Sequence, residues 1–140
     1  MTKKKVDLSA IDTVKGSNDG CDVNIYHPGT MVDLDITINV LGKDSDEWMK
    51  NQYAAQRKYQ AKVTKGGYRS SVSLLPDPEE VARRDRELLA KCTRSWSGVE
   101  LDGKELEFST DNAVMVYERF PWVKEQIDIA IGDRANFIKA

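Results

Sequence analysis

Val32-Asp33-Leu34-Asp35-Ile36-Thr37-Ile38-Asn39-Val40 alternates strictly between aliphatic and polar residues. A period of two places the five aliphatic side chains on one face of a β-strand and the polar ones on the other. The β-branched Ile36 and Ile38 strengthen this prediction. Because one apolar and one polar face are typical of an antiparallel sheet that is covered on one side only, we predict such a sheet.

On the N-terminal side of this strand, the sequence predicts a loop, a short strand and a turn. Residues 1–21 are weakly patterned and are interpreted as a flexible N-terminal segment that ends in the turn-rich string Lys15-Gly16-Ser17-Asn18-Asp19-Gly20. A short strand follows at residues 22–26. His27-Pro28-Gly29-Thr30 then turns the chain.

On the C-terminal side, the first two predicted helices are separated by a loop. Asp44 or Ser45 caps the first helix, and Glu47 completes a capping box with Asp44. This helix runs to about Val63 and stops at Gly66-Gly67. Residues 66–76 form a loop with room for a short extended piece at 71–75. Asp77-Pro78 starts the second helix, whose apolar face consists of Val81, Leu88, Leu89, Cys92 and Trp96.

The last third of the chain predicts one hairpin and two more helices. Asp102-Gly103 lies between the apolar segments 99–101 and 105–108, a pattern typical of a β-hairpin turn. Ser109 or Thr110 caps a helix that ends near Arg119. Pro121 starts a helix that Gly132 ends, with one apolar side formed by Val123, Ile127, Ala130 and Ile131. Strands followed by about four helices indicate a single α+β domain over residues 1–140, in which residues 96–140 form a hairpin plus C-terminal helices.

Composition excludes several classes of protein. The 140 residues include 21 Lys and Arg against 23 Asp and Glu, a net charge of −2, and the scattered basic residues argue against nucleic acid as the main partner. No apolar stretch approaches the roughly 20 residues that span a bilayer. The charged N-terminal residues are followed by no hydrophobic region, so we expect no secretory signal. Cys21 and Cys92 are far apart, so we expect two reduced thiols in a cytoplasm, with Cys92 buried.

The sequence contains no recognisable catalytic or metal-binding constellation. His27 is the only histidine and lies in a turn without a nucleophile nearby. Asp33 and Asp35 share one strand face and could meet a cation, but we interpret them as the solvated side of the sheet. Lys65-Gly66-Gly67 lacks the spacing of a phosphate-binding loop. We therefore predict a protein that is not an enzyme and has no cofactor or metal, although 23 carboxylates leave acid chemistry open without singling out a pair.

Large apolar residues near the C-terminus predict a protein-binding surface. The C-terminal helices and tail carry more apolar residues than one core-facing stripe needs. The predicted partner-binding residues are Trp96, Phe120, Trp122, Ile129 and Phe137. We expect alanine at Trp122 or Phe137 to impair partner binding more than folding.

The C-terminal motifs occur in an order that resembles the tail assembly chaperones of long-tailed bacteriophages. These motifs are Trp96-Ser97-Gly98-Val99, Asp102-Gly103, Leu106-Glu107-Phe108-Ser109, Asn112-Ala113, Tyr117, Pro121-Trp122-Val123-Lys124-Glu125-Gln126-Ile127 and Gly132-Asp133-Arg134-Ala135-Asn136-Phe137. Residues 32–55 are similar more loosely, through a strand and the helix cap at Leu41-Gly42-Lys43-Asp44-Ser45. Some members of the family are almost wholly helical, whereas the alternation at residues 32–40 predicts a mixed fold.

The resemblance implies a binding role without catalysis. Such chaperones bind the tape measure protein and the major tail tube protein in the host cytoplasm and hold them soluble until the tube polymerises. Many are also made in a longer, frameshifted form. From the residues themselves, self-association is compatible with either the one-faced sheet or the apolar C-terminal helices. The alternatives are a structural tail component, such as a terminator or connector subunit of the virion, and a small enzyme that uses scattered carboxylates.

Overall fold

Strand β2, Asp33–Val40, is the central strand of a three-stranded antiparallel sheet in the computed structural model of the chain. The structure describes residues 5–73 and 77–138, without the side chains of residues 62, 63 and 66–73. In chain order the elements are α1 Thr13–Asp19, β1 Cys21–Tyr26, β2, α2 Asp46–Ser73, α3 Pro78–Lys91, β3 Thr93–Ser97, β4 Glu100–Leu101, β5 Lys104–Glu105, α4 Thr110–Arg119 and α5 Pro121–Gly132, with short 3-10 turns at Leu8–Ile11 and Arg134–Phe137. The α+β prediction is confirmed, and the described residues form five α-helices rather than about four.

The sheet has one buried and one polar face, as the alternation predicted. Ile25, Ile38 and Val40 are fully buried on the core face. The opposite face carries short polar side chains, among which the Asn39 amide donates a 2.9 Å hydrogen bond to Asp22. Alternate residues of paired strands point to the same side, so this arrangement follows from the register of β1 and β2.

The regular pairing ends before the first residues of the predicted strand. Ile25 pairs with Ile36, but Tyr26 pairs with Asp33, so two residues of β2 bulge out of the ladder. Asp35 adopts a positive φ of 58° at this bulge. Val32 precedes the strand and is 60% exposed, so the prediction that it shares the buried face is wrong.

Helices α3, α4 and α5 cover the core face of the sheet. Hydrogen bonds between buried hydroxyl groups connect α3 and α4 to β3. Thr93 Oγ1 donates to the carbonyl of Leu89 at 2.8 Å and lies 2.7 Å from the Tyr117 hydroxyl. A threonine hydroxyl has a single proton, so Tyr117 is the donor in the second bond. Burial raises the pKa of Tyr117 to about 12, which keeps this phenol protonated and able to donate. The bond therefore fixes α4 relative to α3 and β3.

The N-terminal segment contains a helix where the sequence predicted a loop. α1 begins with Asp12 Oδ1 accepting from the backbone N–H of Lys15 at 3.0 Å and ends at Gly20, whose φ is +81°. Gly16 lies so close to the carbonyl of Phe137 that a Cβ atom there would overlap it. Gly16 is therefore a packing residue, and its contact lies too far along the chain for turn propensities to reveal.

Helix α2 is longer than predicted, and of the two predicted caps, Asp44 and Ser45, the structure uses Ser45. It continues through Gly66-Gly67 to Ser73, because glycine lowers helix propensity by about 1 kcal/mol without excluding helical angles. The predicted end at Val63 and the predicted loop at 66–73 are wrong, and residues 74–76 lie outside the described residues. Ser45 Oγ accepts the capping bond from Trp48 N–H at 3.3 Å, so the predicted Asp44 capping box is also wrong.

Most local predictions for the second half of the chain are confirmed. Asp77 accepts from Glu79 N–H at 3.1 Å ahead of Pro78, and Ser109 accepts from Asn112 N–H at 3.0 Å. Trp96 is the exception, since α3 ends at Lys91 and Trp96 lies on β3 opposite Ile38. Its spacing from the preceding apolar residues fits a helix, but pairing with β2 takes this segment into the sheet.

The turn Arg134–Phe137 packs against α1 and the loop that precedes α2. The Phe137 side chain is 3% exposed and lies against Gly42, while the Phe137 carbonyl lies against Gly16. Beside it, Arg134 Nε and Nη2 donate to the two oxygens of Asp44 at 2.7 and 3.0 Å. The sequence-based assignment of Phe137 to a partner-binding surface is therefore wrong, because in this fold Phe137 is a core residue.

We expect Phe137→Ala to lower the free energy of unfolding by about 3–5 kcal/mol, since it removes a buried ring and leaves a cavity. Urea denaturation followed by circular dichroism measures this change. Ile138→Ala is the control, because Ile138 is 38% exposed and should cost well under half as much. Equal losses for the two variants would contradict the core assignment.

The Asp44–Arg134 pair predicts a pH-dependent contribution to stability. Hydrogen bonds from Arg134, and then from Thr13, hold the pKa of Asp44 below its usual 3.8. Because the folded pKa is the lower one, the stabilisation is present above pH 3.8 and disappears as the pH falls through the lowered pKa. Asp44→Asn should therefore be less stable than the unchanged protein at pH 7, and urea titrations should show the difference shrinking in acid. A difference that is the same at both pH values would contradict this.

Candidate functional site

An apolar cavity of about 140 Å³ lies between the core face of the sheet, the β4–β5 hairpin and the junction of α4 with α5. We call it the aromatic pocket. It is lined by Ile25, Ile36, Ile38, Trp96, Val99, Glu100, Leu101, Leu106, Val116, Phe120, Trp122 and Val123. Glu100 is the one charged residue of this lining, so the walls offer contact with apolar groups.

Three of the five predicted partner-binding residues meet in this pocket. Trp96 reaches it from β3, while Phe120 and Trp122 reach it from the two sides of Pro121, where α4 ends and α5 begins. All three side chains are partly buried against the core. The prediction of an aromatic cluster in the C-terminal part of the chain thus corresponds to a defined concave site.

The aromatic walls are held in place by directional contacts. Trp96 Nε1 donates a 2.8 Å hydrogen bond to the carbonyl of Leu106, and its ring meets the edge of Phe108 with centroids 5.2 Å apart. Phe120 and Trp122 are edge to face at 6.3 Å, and the Arg119 guanidinium lies 5.4 Å from the Phe120 ring. The satisfied indole N–H and the edge-on ring contacts fix the position of the walls before any ligand enters.

The β4–β5 hairpin forms one wall, and its shape depends on backbone angles that favour glycine. Asp102 and Gly103 have φ values of 54° and 80°, as a two-residue primed turn requires. Gly98 has φ of 78° and approaches the Asp35 carbonyl so closely that a Cβ would overlap it. The hairpin is therefore placed by close packing of Gly98 against the bulge of β2.

The sequence analysis missed the aliphatic residues on this hairpin. Val99, Leu101 and Leu106 line the pocket, and Leu106 N–H donates to the carbonyl of Val99 at 2.9 Å. The available signal was the apolar spacing on each side of Asp102-Gly103, which predicted the hairpin. That spacing did not show which side of the hairpin faces the aromatic residues.

Ile129 lies outside the pocket, on an exposed side of α5. Its side chain is 74% exposed, and the spacing of 122, 126 and 129 places Trp122, Gln126 and Ile129 on one side of the helix. Gln126 bonds to the backbone of Tyr26, accepting from its N–H at 2.9 Å and donating to its carbonyl at 2.8 Å. This side of α5 therefore adjoins β1 at Gln126, and Ile129 is an exposed apolar residue one turn further along the helix.

The size and lining of the pocket suit a single apolar side chain. A dry, apolar cavity of about 150 Å³ is known to hold a benzene-sized molecule. The aromatic pocket is similar in volume and can therefore accept one aromatic or branched aliphatic group. Full burial of one such side chain contributes about 1.5–3 kcal/mol.

The single histidine holds a turn, and the two cysteines are protonated thiols. His27 Nδ1 accepts from the N–H groups of Gly29 and Thr30 at 3.0 and 3.1 Å, which holds the turn between β1 and β2. Burial raises the pKa of Cys92 to about 12 and also raises that of Cys21, so both thiols are protonated at neutral pH. Among the described residues, no group of three or more His, Cys, Asp or Glu is arranged to hold a metal ion, and no helix is long and apolar enough to cross a membrane.

Comparison with protein-family models, curated proteins and solved structures gives no match to this chain. The pocket and the order of its sequence motifs are therefore the basis of the functional proposal.

The two hairpin glycines give a matched test of how the pocket wall is held. Both have positive φ, so alanine at either position costs about 1–2 kcal/mol of backbone strain. Gly103→Ala should show only this cost, because no atom lies within 4 Å of its new Cβ. Gly98→Ala must also push the hairpin away from Asp35, so its loss of unfolding free energy should be larger and Trp96 fluorescence should shift. Equal losses and unchanged fluorescence would contradict the packing of Gly98 on the bulge.

Proposed function

We propose that the chain is a non-catalytic binding protein of the tail assembly chaperone type. In this proposal it binds the tape measure and major tail tube proteins in the host cytoplasm and keeps them soluble until the tube polymerises. The observation that carries the proposal is the aromatic pocket. Much of its wall comes from residues 96–123, within the segment that resembles this family.

Several of the resembling motifs supply residues that line or shape the pocket. Trp96-Ser97-Gly98-Val99 supplies an aromatic wall and the close packing of the hairpin on β2, and Asp102-Gly103 supplies the hairpin turn. Leu106 lines the cavity and accepts the hydrogen bond from Trp96. Pro121-Trp122 supplies the opposite wall. A shared apolar binding site gives these scattered motifs a common physical purpose.

The energetics of the pocket suit a protein that must release its client. Burying one apolar side chain contributes about 1.5–3 kcal/mol, whereas a micromolar complex needs about 8 kcal/mol. Additional contacts are therefore required, and the exposed Ile129, two turns from Trp122 on the same side of α5, is one source of them. Affinity assembled from several weak contacts allows release when the client forms its own interface in the tube.

The proposal predicts that filling the pocket abolishes protection of the client. Leu101→Trp replaces an aliphatic side chain of the pocket wall with a larger aromatic one that fills the cavity. It removes no buried core residue, since Leu101 is only partly buried. On co-expression with a phage tape measure protein, the unchanged chain should keep that protein soluble. The variant should bind it about tenfold more weakly or worse, as the loss of one buried side chain implies.

Leu8→Trp is the matched control, because Leu8 is 78% exposed and does not line the pocket. It should protect the client as well as the unchanged chain does. The proposal fails if the tape measure and tube proteins are fully soluble alone, or if the two tryptophan variants behave alike. Mass spectrometry of purified virions is a second measurement, since stoichiometric amounts of the chain in the particle would favour a structural tail component instead.

A further inference from the structure

Helix α2 is long and almost unsupported by its own chain. It has 28 residues, a length of about 42 Å, and none of its described side chains is buried. From Gln52 to Lys65, Ala55 is partly buried and every other described side chain is exposed. Since most helix stability in proteins comes from packing one face against other elements, an exposed helix of this length indicates a missing contact surface.

The charge of α2 indicates what kind of surface is missing. The sequence from residue 48 to 73 contains Lys50, Arg57, Lys58, Lys62, Lys65 and Arg69 and no Asp or Glu. Acid–base pairs three or four residues apart, which stabilise solvated helices, therefore cannot form within this stretch. Because the whole chain has a net charge of −2 and this stretch contributes +6, the remainder has −8. The helix thus concentrates positive charge on an otherwise acidic protein.

A groove of about 500 Å³ runs between α2 and α3. We call it the α2–α3 groove. Lys91, at the end of α3, donates to Asn51 near the start of α2 at 3.4 Å, so the two helices run in opposite directions. Closely packed helices interdigitate at axis separations of 8–10 Å and leave little space between them. The volume between α2 and α3 shows that this pair is open along the groove.

The lining of the groove combines apolar and charged residues. The apolar part consists of Ala54, Ala55, Val81 and Leu88, and the small alanines allow close approach of another backbone. The cations are Lys58, Arg84 and Lys91, with Asp85 and Glu87 as the anions. Asn51, Gln52 and Gln56 supply amides. Because the cations outnumber the anions in the lining and α2 has no acidic residue after Glu47, the groove complements a helix that has an apolar stripe and acidic flanks.

We propose that the α2–α3 groove binds an amphipathic helix of a partner polypeptide, with its apolar stripe on Ala54, Ala55, Val81 and Leu88 and its acidic side chains facing the cations. The proposal rests on the proposed function in one respect, namely that the partner is a polypeptide. It adds a second binding site and specifies the chemistry of the segment bound there.

The lining favours a helix over a nucleic acid strand. The remainder of the chain carries a net charge of −8, which opposes binding of a long polyanion that extends beyond the groove. The apolar strip would also remain uncovered by a phosphate backbone. A helix with one apolar and one acidic side satisfies both the strip and the cations.

The test uses designed peptides and fluorescence anisotropy. The first probe is a labelled peptide of about 20 residues, long enough to span about 30 Å as a helix, with leucine at helical spacing and glutamate on its flanks. The second has lysine in place of glutamate, and the third is a single-stranded DNA of similar length. The glutamate peptide should bind at least about tenfold more tightly than the lysine peptide, and its affinity should fall as salt screens the charges.

Matched variants locate the binding. Ala55→Arg fills the groove, whereas Ala82→Arg makes the same change on an exposed position of α3 outside the lining. The first variant should weaken binding of the glutamate peptide about tenfold or more, and the second should leave it unchanged. Circular dichroism confirms that both variants keep their helical content.

Each contrary outcome overturns the proposal. It is wrong if the two peptides bind alike, if Ala55→Arg and Ala82→Arg have the same effect, or if the DNA binds more tightly than the glutamate peptide. It is also wrong if the free chain sediments as a dimer that Ala55→Arg dissociates, since a second copy would then fill the groove. Leu101→Trp should retain peptide binding, so failure of the aromatic-pocket proposal is distinguishable from failure of this one.

Discussion

The pairing of β2 with both β1 and β3 is the constraint on which the remaining structure depends. A shift of one residue in either register would turn Ile38 and Val40 from the core to the solvent, so burial of these side chains fixes the alignment. The same alignment fixes both ends of the strand. At its start, the bulge at Asp35 receives Gly98 and places the hairpin over the aromatic pocket. At its end, the chain turns after Val40 into α2 and the α2–α3 groove.

Sequence reasoning predicted the elements whose causes are local. The alternation at residues 36–40, the Asp77-Pro78 cap and the Asp102-Gly103 turn each depend on neighbouring residues, and each is confirmed. Two of the errors occur where a distant contact decides the outcome. The turn-rich neighbours of Gly16 predict a loop, whereas the residue that packs against Gly16 is Phe137, more than 100 residues away. Trp96 fits the helical spacing of α3 but is held in the sheet by β2.

The candidate site was predictable in composition but not in shape. Large apolar residues in excess of one helix face indicated an adhesive surface, and Trp96, Phe120 and Trp122 do meet in one pocket. The same reasoning could not separate these residues from Phe137, because an aromatic residue near a chain end has no periodic neighbours that reveal what covers it. The aliphatic wall formed by the hairpin was missed for a similar reason. The orientation of the hairpin is set by the packing of Gly98 against Asp35 and not by the hairpin's own sequence.

If one client occupies both the aromatic pocket and the α2–α3 groove, the affinity of the complex depends on the two sites together. The aromatic pocket alone contributes about 1.5–3 kcal/mol, too little to hold a client at micromolar concentration. A client that also places an acidic helix in the α2–α3 groove makes its second contact within a single complex, at an effective concentration set by the connecting chain. The combined affinity can then exceed either one by orders of magnitude, while each contact still breaks readily. Tight binding of a long polypeptide is therefore compatible with its stepwise release. The high affinity requires both sites to be occupied, whereas dissociation proceeds from one weak site at a time.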